Sequence, residues 1–508
     1  MLARVRSATV VGIEAAPIDV EVDVALGLPC CNIVGLADAG VREGRVRIRS
    51  ALENSGFKLP PRKITVNLAP ADLKKDGAGF DLPIAVGMLC AAGVVEPEAI
   101  ADTLFVGELA LDGAVRPVRG VLPIAVSARA RGARRLIVPP ANEAEAAVVG
   151  GCEVRAARDL TSLVALLKGE GGDVAPERTT STEPANETTP AAGADLSEVH
   201  GQEVPRRALE IAAAGGHNLL FVGPPGSGKT MLARRLPGIL PPFTFEEALE
   251  TSMIYSIVGQ LGGAALLRER PFRAPHHTVT AVGLVGGGPI VRPGEITLAH
   301  NGVLFLDELL EFARPALEAL RQPLEDRHVA IVRARRSVTY PADFMLVTAL
   351  NPCPCGHLGN PLRTCTCSLA GIAAYRARLS GPLVDRIDLH VEVAALPYQA
   401  LARDESAEPS AAVRARVVAA RAVQNAREGA AATSNARLPA AALRAVAALD
   451  ADGHRLMEAA VARFGLSARA LTRVRRVART IADLDGSVAV RGRHVAEALQ
   501  YRLLDRTP

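Results

Sequence analysis

The chain opens on alternation. Residues 18–26, IDVEVDVAL, place an apolar side chain at every second position with acids between them, the period of a strand with one buried face. KITVNLAP (63–70) and RRLIVPP (134–140) read the same way. AGVREGRVRIRSALENSG (39–56) and VLPIAVSARARG (121–132) carry helical spacing instead, so the first part is α/β or α+β. Residues 170–195, EGGDVAPERTTSTEPANETTPAAGAD, hold almost nothing to bury, and such a composition cannot offset the entropy of ordering. Beyond this linker a helix is predicted over 203–214. Three apolar strands follow, NLLFVG (218–223), GVLFLD (302–307) and FMLVTALN (344–351), with helices between them; that order predicts a parallel, doubly wound sheet. Residues 329–340, VAIVRARRSVTY, alternate like a hairpin, and after about 396 the pattern is nearly all helical. The predicted organisation is an α+β domain over 1–168, a linker over 169–195, a parallel-sheet core over 196–395 and a helical domain over 396–508.

Length and composition agree: 508 residues, 49% of them apolar, give room for roughly three domains of about 150 residues. No apolar run approaches the roughly 20 residues of a membrane span, and the N-terminus lacks the pattern of a secretion signal, so a cytoplasmic location is expected. Net charge is +4, and although ten arginines face four acids between 463 and 506, the whole chain is biased towards Ala and Arg. Basicity alone therefore names no partner. Of the eight cysteines, Cys30, Cys31, Cys90 and Cys152 are scattered and expected as buried apolar filler.

The chemistry concentrates in the second part. GPPGSGKT, running Gly223, Pro224, Pro225, Gly226, Ser227, Gly228, Lys229, Thr230, is a complete Walker A sequence between a strand and a helix. Its glycines let successive amides face phosphate oxygens, Lys229 is expected on the β- and γ-phosphates, and Thr230 on Mg²⁺. GVLFLDE ends an apolar strand in two carboxylates; after a Walker A it reads as Walker B, with Asp307 holding Mg²⁺ through water and Glu308 polarising the attacking water. Asn351, a polar residue at the end of the next strand, is placed beside the γ-phosphate. ATP with Mg²⁺ is the expected cofactor.

CPCGHLGNPLRTCTC sets Cys353 and Cys355 ahead of Cys365 and Cys367, and two cysteine pairs around a short Gly/Pro loop fit a tetrahedral Zn²⁺ site. Two variants stay open: His357 in place of one thiolate, or reduced loop cysteines with no metal. A disulfide is not expected in a reducing compartment. An insertion over 272–300 carries Arg273, His276, His277 and the run Gly286–Gly288, and the hairpin carries Arg333, Arg335 and Arg336 near its turn. Loops of this kind projecting into a ring channel would give sequence-independent phosphate contacts. For the two histidines, loop hydrogen bonding and channel contact are both open.

With PFRAPHHT (271–278), GGGPIVRPGEITLAHNGVLFLDEL (286–309), TALNPCPCG (348–356) and YRARLSGPLVDRIDLHVEV (375–393), the sequence resembles the magnesium-chelatase subfamily of AAA+ ATPases. Within it the match is to the DNA-acting ComM/YifB branch, over nearly the whole chain apart from the linker. The resemblance implies a P-loop core with a helical lid and casts Asn351 as sensor 1. It casts Arg386 as the arginine finger reaching a neighbouring subunit, and Arg469 as the sensor 2 arginine. It further implies a homohexameric motor on single-stranded or branched DNA, promoting branch migration in natural transformation or recombination with recombination proteins as further partners. The alternative is a magnesium-chelatase-type motor subunit that remodels a protein partner.

The N-terminal part resembles the Lon protease domain, a ribosomal-protein-S5-like α+β fold, through KKDGAGFDLP (74–83) and residues 104–140. Gly79 stands in the place of the serine and Leu122 in that of the lysine base, and neither can attack or accept a proton. The domain is therefore expected to be inactive, with Lys74, Lys75 and Asp76 as turn and surface residues. By analogy with the RadA recombination proteins, which is fold-level only, it would form an outer tier of the ring.

Overall fold

The computed structural model describes residues 2–508 except 76, 171–194, 289–290, 334–335, 361–362, 397–406, 428–433, 503 and 505–508. Most of the linker, Asp76 and Arg335 thus lie outside the described residues. By contact the chain divides into two units: Met1–Asn186 with Phe245–Arg268, and Glu187–Thr244 with Glu269–Pro508.

In the first unit the alternating segments form a seven-stranded mixed sheet. Its order across the sheet is Cys30–Val34, Lys63–Ala69, Glu14–Ala25, Leu2–Val11, Thr103–Phe105, Arg135–Val138 and Glu153–Ala156. Leu2–Val11 and Glu14–Ala25 pair antiparallel from Leu2 opposite Asp23 to Val11 opposite Glu14. The alternation works as read: Ile18, Val20, Val22 and Val24 are buried while the acids between them stay nearer to water. Every residue of the helix Asp81–Ala91 is buried, and Gly87 is needed at its contact with the sheet, since a Cβ there would lie 2.5 Å from Val22 Cγ2.

Residues 245–268, expected within the 196–395 core, belong to this first unit instead. The helix Phe245–Val258 packs on Val121–Ala130, and Leu249 and Met253 join the apolar cluster of Val121, Leu122 and Ala125. Polar anchors fix it. Ser256 Oγ donates to buried Glu145 at 2.8 Å, Asn142 donates to the other carboxylate oxygen, and the amides of Gly120 and Leu122 donate to Ser256. Burial pushes the Glu145 carboxyl up, against these hydrogen bonds.

Two expectations for this unit need correction. Lys75, read as a surface residue, is fully buried and donates to the Pro70 carbonyl. Its neighbour in the turn, Gly77, donates to Asp38 at the start of the helix Ala39–Asn54, so the turn is folded inward. Cys30, read as buried filler, is exposed at a sheet edge, and Cys31 and Cys152 are half-buried; only Cys90 behaves as expected.

The second unit is built on five parallel strands, ordered Phe272–Arg273, Val303–Leu306, Met345–Leu350, Leu219–Val222 and Leu389–Glu392. The three strands expected from sequence are its centre, and their residues are buried throughout. The hairpin forms over His328–Arg333 and Arg336–Pro341. The C-terminal helices share the core of the sheet: Val413 and Val417, Val474, Val477 and Ile481, and Val495 pack with Leu209, Ile211, Phe221 and Val391 in one cluster. Segments 196–395 and 396–508 are therefore one compact unit, because the amphipathic helix Ala468–Leu484 has its apolar stripe turned onto Glu203–Gly215.

Buried charge is matched at the junction of sheet and helices. Asp388 accepts from the Asn218 amide at 3.0 Å and from Arg473 at 2.6 Å, and lies 3.6 Å from His217 Nδ1. Burial opposes its charge, but Arg473 and His217 hold the carboxyl well below the usual carboxylate range. No helix among the described residues is long and apolar enough to cross a membrane.

Candidate nucleotide site

The buried strand Leu219–Val222 delivers the chain to Gly223, where any side chain would collide with the Val393 carbonyl, a Cβ lying 2.2 Å from its oxygen. Gly226 and Gly228 then take φ of +76° and +94°, the left-handed turns that aim the loop's amides inward before the helix Lys229–Arg235 begins.

Lys229 is buried in this loop. Its ammonium donates to the carbonyls of Gly223 (2.6 Å) and Pro224 (2.8 Å) and to Asn351 Oδ1 (3.2 Å). Burial pulls its pKa down, with Asp307 and Glu308 pulling the other way. Thr230 Oγ1 donates to Asp307 at 2.5 Å, so the two oxygens expected on one cation are already adjacent. Ser227 Oγ is buried with no partner. A buried ammonium, an orphaned buried hydroxyl and a hydroxyl–carboxylate pair, all held by a glycine turn, fit a nucleoside triphosphate and its Mg²⁺.

Glu308 follows Asp307 in a left-handed conformation, φ 50° and ψ 48°, which costs a non-glycine residue about 1–3 kcal/mol and marks a functional turn. The kink separates the carboxylates: Asp307 faces Thr230, whereas Glu308 lies 3.6 Å from His277 Nδ1. His276 lies against His277, with centroids 4.0 Å apart and ring planes tilted by 35°, and bonds to Thr278. His276 thus makes the local hydrogen bond that is one of its two open readings, and His277 lies beside Glu308. Arg273 is committed as well, in a two-toothed ion pair with Glu295 at 2.7 and 2.9 Å. A charge neutralised within the fold is a poor phosphate ligand. Arg333 and Arg336 are backbone register partners in the hairpin, next to the turn.

Arg386 and Arg469 are not gathered at Lys229. They line one cavity of about 500 Å³ with Glu325, Asp343, Arg473 and Arg476, and no Walker residue lines it. Arg386 is held there by Glu325 and the Pro382 carbonyl, both at 2.5 Å. Gln202 is a residue that sequence reasoning missed: its amide group bridges the carbonyls of Ser227 (3.3 Å) and Ala394 (3.0 Å) and so fastens the phosphate loop. The only signal is its position just before the helix that leads into the Walker A strand.

The cysteine cluster comes together through all four sulfurs, which lie within 4.8 Å of one another. His357 is not in the group; its Nδ1 faces Asn360.

Three family models match the chain: "Subunit ChlI of Mg-chelatase" over residues 20–142, "Magnesium chelatase, subunit ChlI" over 195–401, and "Magnesium chelatase, subunit ChlI C-terminal" over 407–502. The chain is similar to the protein YifB of Salmonella typhimurium, at 45% identity over 99% of this chain and 98% of the relative. It is similar to the same extent to the competence protein ComM of Haemophilus influenzae, at 44% identity over 99% and 98%. A weaker similarity, 29% over 38% of this chain and 42% of the relative, links it to the Holliday junction branch migration complex subunit RuvB of Saccharopolyspora erythraea.

Proposed function

The chain belongs to the ComM/YifB family of magnesium-chelatase-like AAA+ proteins, and we propose from that premise that it is a homohexameric, ATP-driven motor on single-stranded or branched DNA, acting in transformation or recombination. The observation that carries the reading is the distance in the fold between two halves of one machine. Lys229, Asp307, Glu308 and Asn351 form one cluster, and Arg386 and Arg469 line a separate cavity. In this reading a second copy brings its arginines to complete the first copy's site, an arrangement that a closed head-to-tail ring provides.

In such a ring Lys229 and the loop amides hold the phosphates, and Thr230 and Asp307 hold the cation. Glu308 accepts the proton of the attacking water while Asn351 orients it. The neighbour's Arg386 and Arg469 neutralise charge on the transferred group. Mg²⁺–ATP supplies the phosphoanhydride whose cleavage drives the cycle. The reading also gives the four-thiolate cluster a Zn²⁺ ion.

The DNA substrate is supported by similarity to proteins whose names specify competence and branch migration, together with the arginines that the sequence places at the hairpin turn. A second reading, a chelatase-type motor that remodels a protein partner, is favoured by the neutralised Arg273 on the insertion. ATP hydrolysis by the full chain, measured with and without single-stranded and four-way DNA, together with displacement of a labelled strand, separates the two. The motor reading expects stimulation and displacement; hydrolysis indifferent to DNA with no displacement overturns it.

A further inference from the structure

We propose that the four-thiolate cluster holds one Zn²⁺ ion and that this ion fastens the Walker A loop, so that metal occupancy sets the affinity of the nucleotide site. The inference rests on the nucleotide reading above but not on DNA as substrate.

The cluster has the dimensions of a single tetrahedral ion. Sγ–Sγ separations are 3.4 Å for Cys353–Cys355, 3.7 Å for Cys353–Cys365 and 3.6 Å for Cys355–Cys365. A Zn²⁺ with Zn–S bonds of about 2.3 Å sets its sulfurs about 3.8 Å apart. Backbone amides are aimed at the sulfurs: Leu358 N at Cys353 (3.3 Å), Cys355 N at Cys367 (3.4 Å) and Cys367 N at Cys365 (3.5 Å). Such donors orient metal-bound thiolates and spread their charge. The C-x-C spacing, tighter than the common C-x₂-C, is made workable by a turn in which Gly356, at φ +79°, donates to the Cys353 carbonyl.

That same turn touches the nucleotide loop. A Cβ on Gly356 would lie 2.6 Å from Pro225 Cδ and 2.8 Å from its Cγ, so the absence of a side chain is what lets the cysteine turn rest on the Walker A. The other end of the link is Asn351, two residues before buried Cys353, whose side chain accepts from Lys229. An ion joining Cys353 and Cys355 to Cys365 and Cys367 therefore pins Asn351 and Pro225 from one side. Without the ion, four sulfurs this close have no common partner, and the turn is held to residues 365–367 by weak amide–sulfur hydrogen bonding such as Cys355 N to Cys367 Sγ.

Three measurements on the full chain test the proposal. Elemental analysis is expected to give one zinc per chain, and Cys365→Ser to lose it. Cys365→Ser, and wild type stripped by a chelator, should bind a fluorescent ATP analogue roughly tenfold more weakly, through misplacement of the loop, with re-addition of zinc rescuing only the wild type. Gly356→Ala keeps all four thiolates; it should retain zinc and still weaken the analogue, because it presses on Pro225. Less than one zinc in every few chains overturns the metal assignment, and an iron-containing, coloured protein overturns the choice of ion. Zinc at full occupancy whose removal leaves analogue binding within twofold overturns the link to the Walker A. Wild type that carries zinc but binds no analogue at all sinks the nucleotide reading while leaving the metal count standing.

Discussion

The proposed splitting of the nucleotide machinery between two copies has a consequence that can be counted. Lys229→Ala destroys the phosphate-binding half of a site, and Arg386→Ala removes the charge that a neighbour supplies. Each variant alone should hydrolyse ATP at least about 10³-fold more slowly than wild type. Loss of Arg386 leaves Glu325, whose side chain is 55% exposed, in water, but Arg386 itself is only 10% exposed, so urea unfolding of both variants accompanies the assay to show that they remain folded. If the two variants are mixed in equal amounts and allowed to exchange subunits, a site is intact wherever an Arg386→Ala subunit, with its sound Lys229, meets the Arg386 of a Lys229→Ala subunit. Random assembly of a head-to-tail ring of any size makes roughly a quarter of the interfaces intact, so steady-state hydrolysis should recover to about that fraction of wild type. A control mixture of Lys229→Ala with Glu308→Gln carries both lesions on the same side of the interface and should recover nothing. Affinity tags on the two variants would verify mixed rings. Mixed rings without recovery would refute the shared site and place the arginines' work within one chain.

Further tests address the base, the helix exchanged between units and the response to acid. Glu308→Gln should slow hydrolysis by roughly 10²-fold or more while a fluorescent ATP analogue binds within about twofold of wild type; near-normal turnover would reject Glu308 as the base. Ser256→Ala removes a donor from the buried Glu145 carboxylate and should cost the first unit about 1–3 kcal/mol in urea unfolding; an unchanged midpoint would mean that the helix Phe245–Val258 adds nothing to it. Acid should destabilise the second unit well above the carboxylate range. Burial, with Arg502 beside it, pushes His390 from its ordinary value down to about 3. Below about pH 6.5 the unfolded chain therefore takes up a proton that the folded one refuses, and stability falls with pH by at most about 1.4 kcal/mol per unit until the folded value is reached. His390→Leu should flatten most of that slope, leaving the smaller share of His494, which burial also holds down; an equal slope in the variant would show that His390 is not the group responsible.

Local chemistry was legible in the sequence because each motif is short and obeys one rule. The Walker strands are continuous apolar runs, the Walker A glycines fall where left-handed turns are required, and the hairpin alternates over the residues that form it. What could not be read depends on which elements meet. Nothing along the chain says that Arg386 and Arg469 share a cavity, that His277 reaches Glu308, or that Gln202 ties down the phosphate loop, since each pair is joined only by the folded sheet. Lys75 shows the limit of the polarity rule: a lysine in a Gly-rich turn reads as exposed, yet its ammonium finds the Pro70 carbonyl and its stem a buried berth.

The helix Phe245–Val258 is the most instructive case. Its sequence, FEEALETSMIYSIV, scatters apolar residues around the helix, so it fixes a helix but not the core that receives it. The receiving core is the one around Leu122, the position where a Lon-type protease would keep its lysine. There the side chain is fully buried and apolar, and the Leu122 amide is bound by Ser256. At the partner position, a side chain on Gly79 would meet Val106 and Val118 at ordinary contact distance, with no base in reach among those neighbours. The position that the Lon resemblance assigns to the lysine is thus part of a packing surface, covered by Leu249 and Met253 of the helix Phe245–Val258.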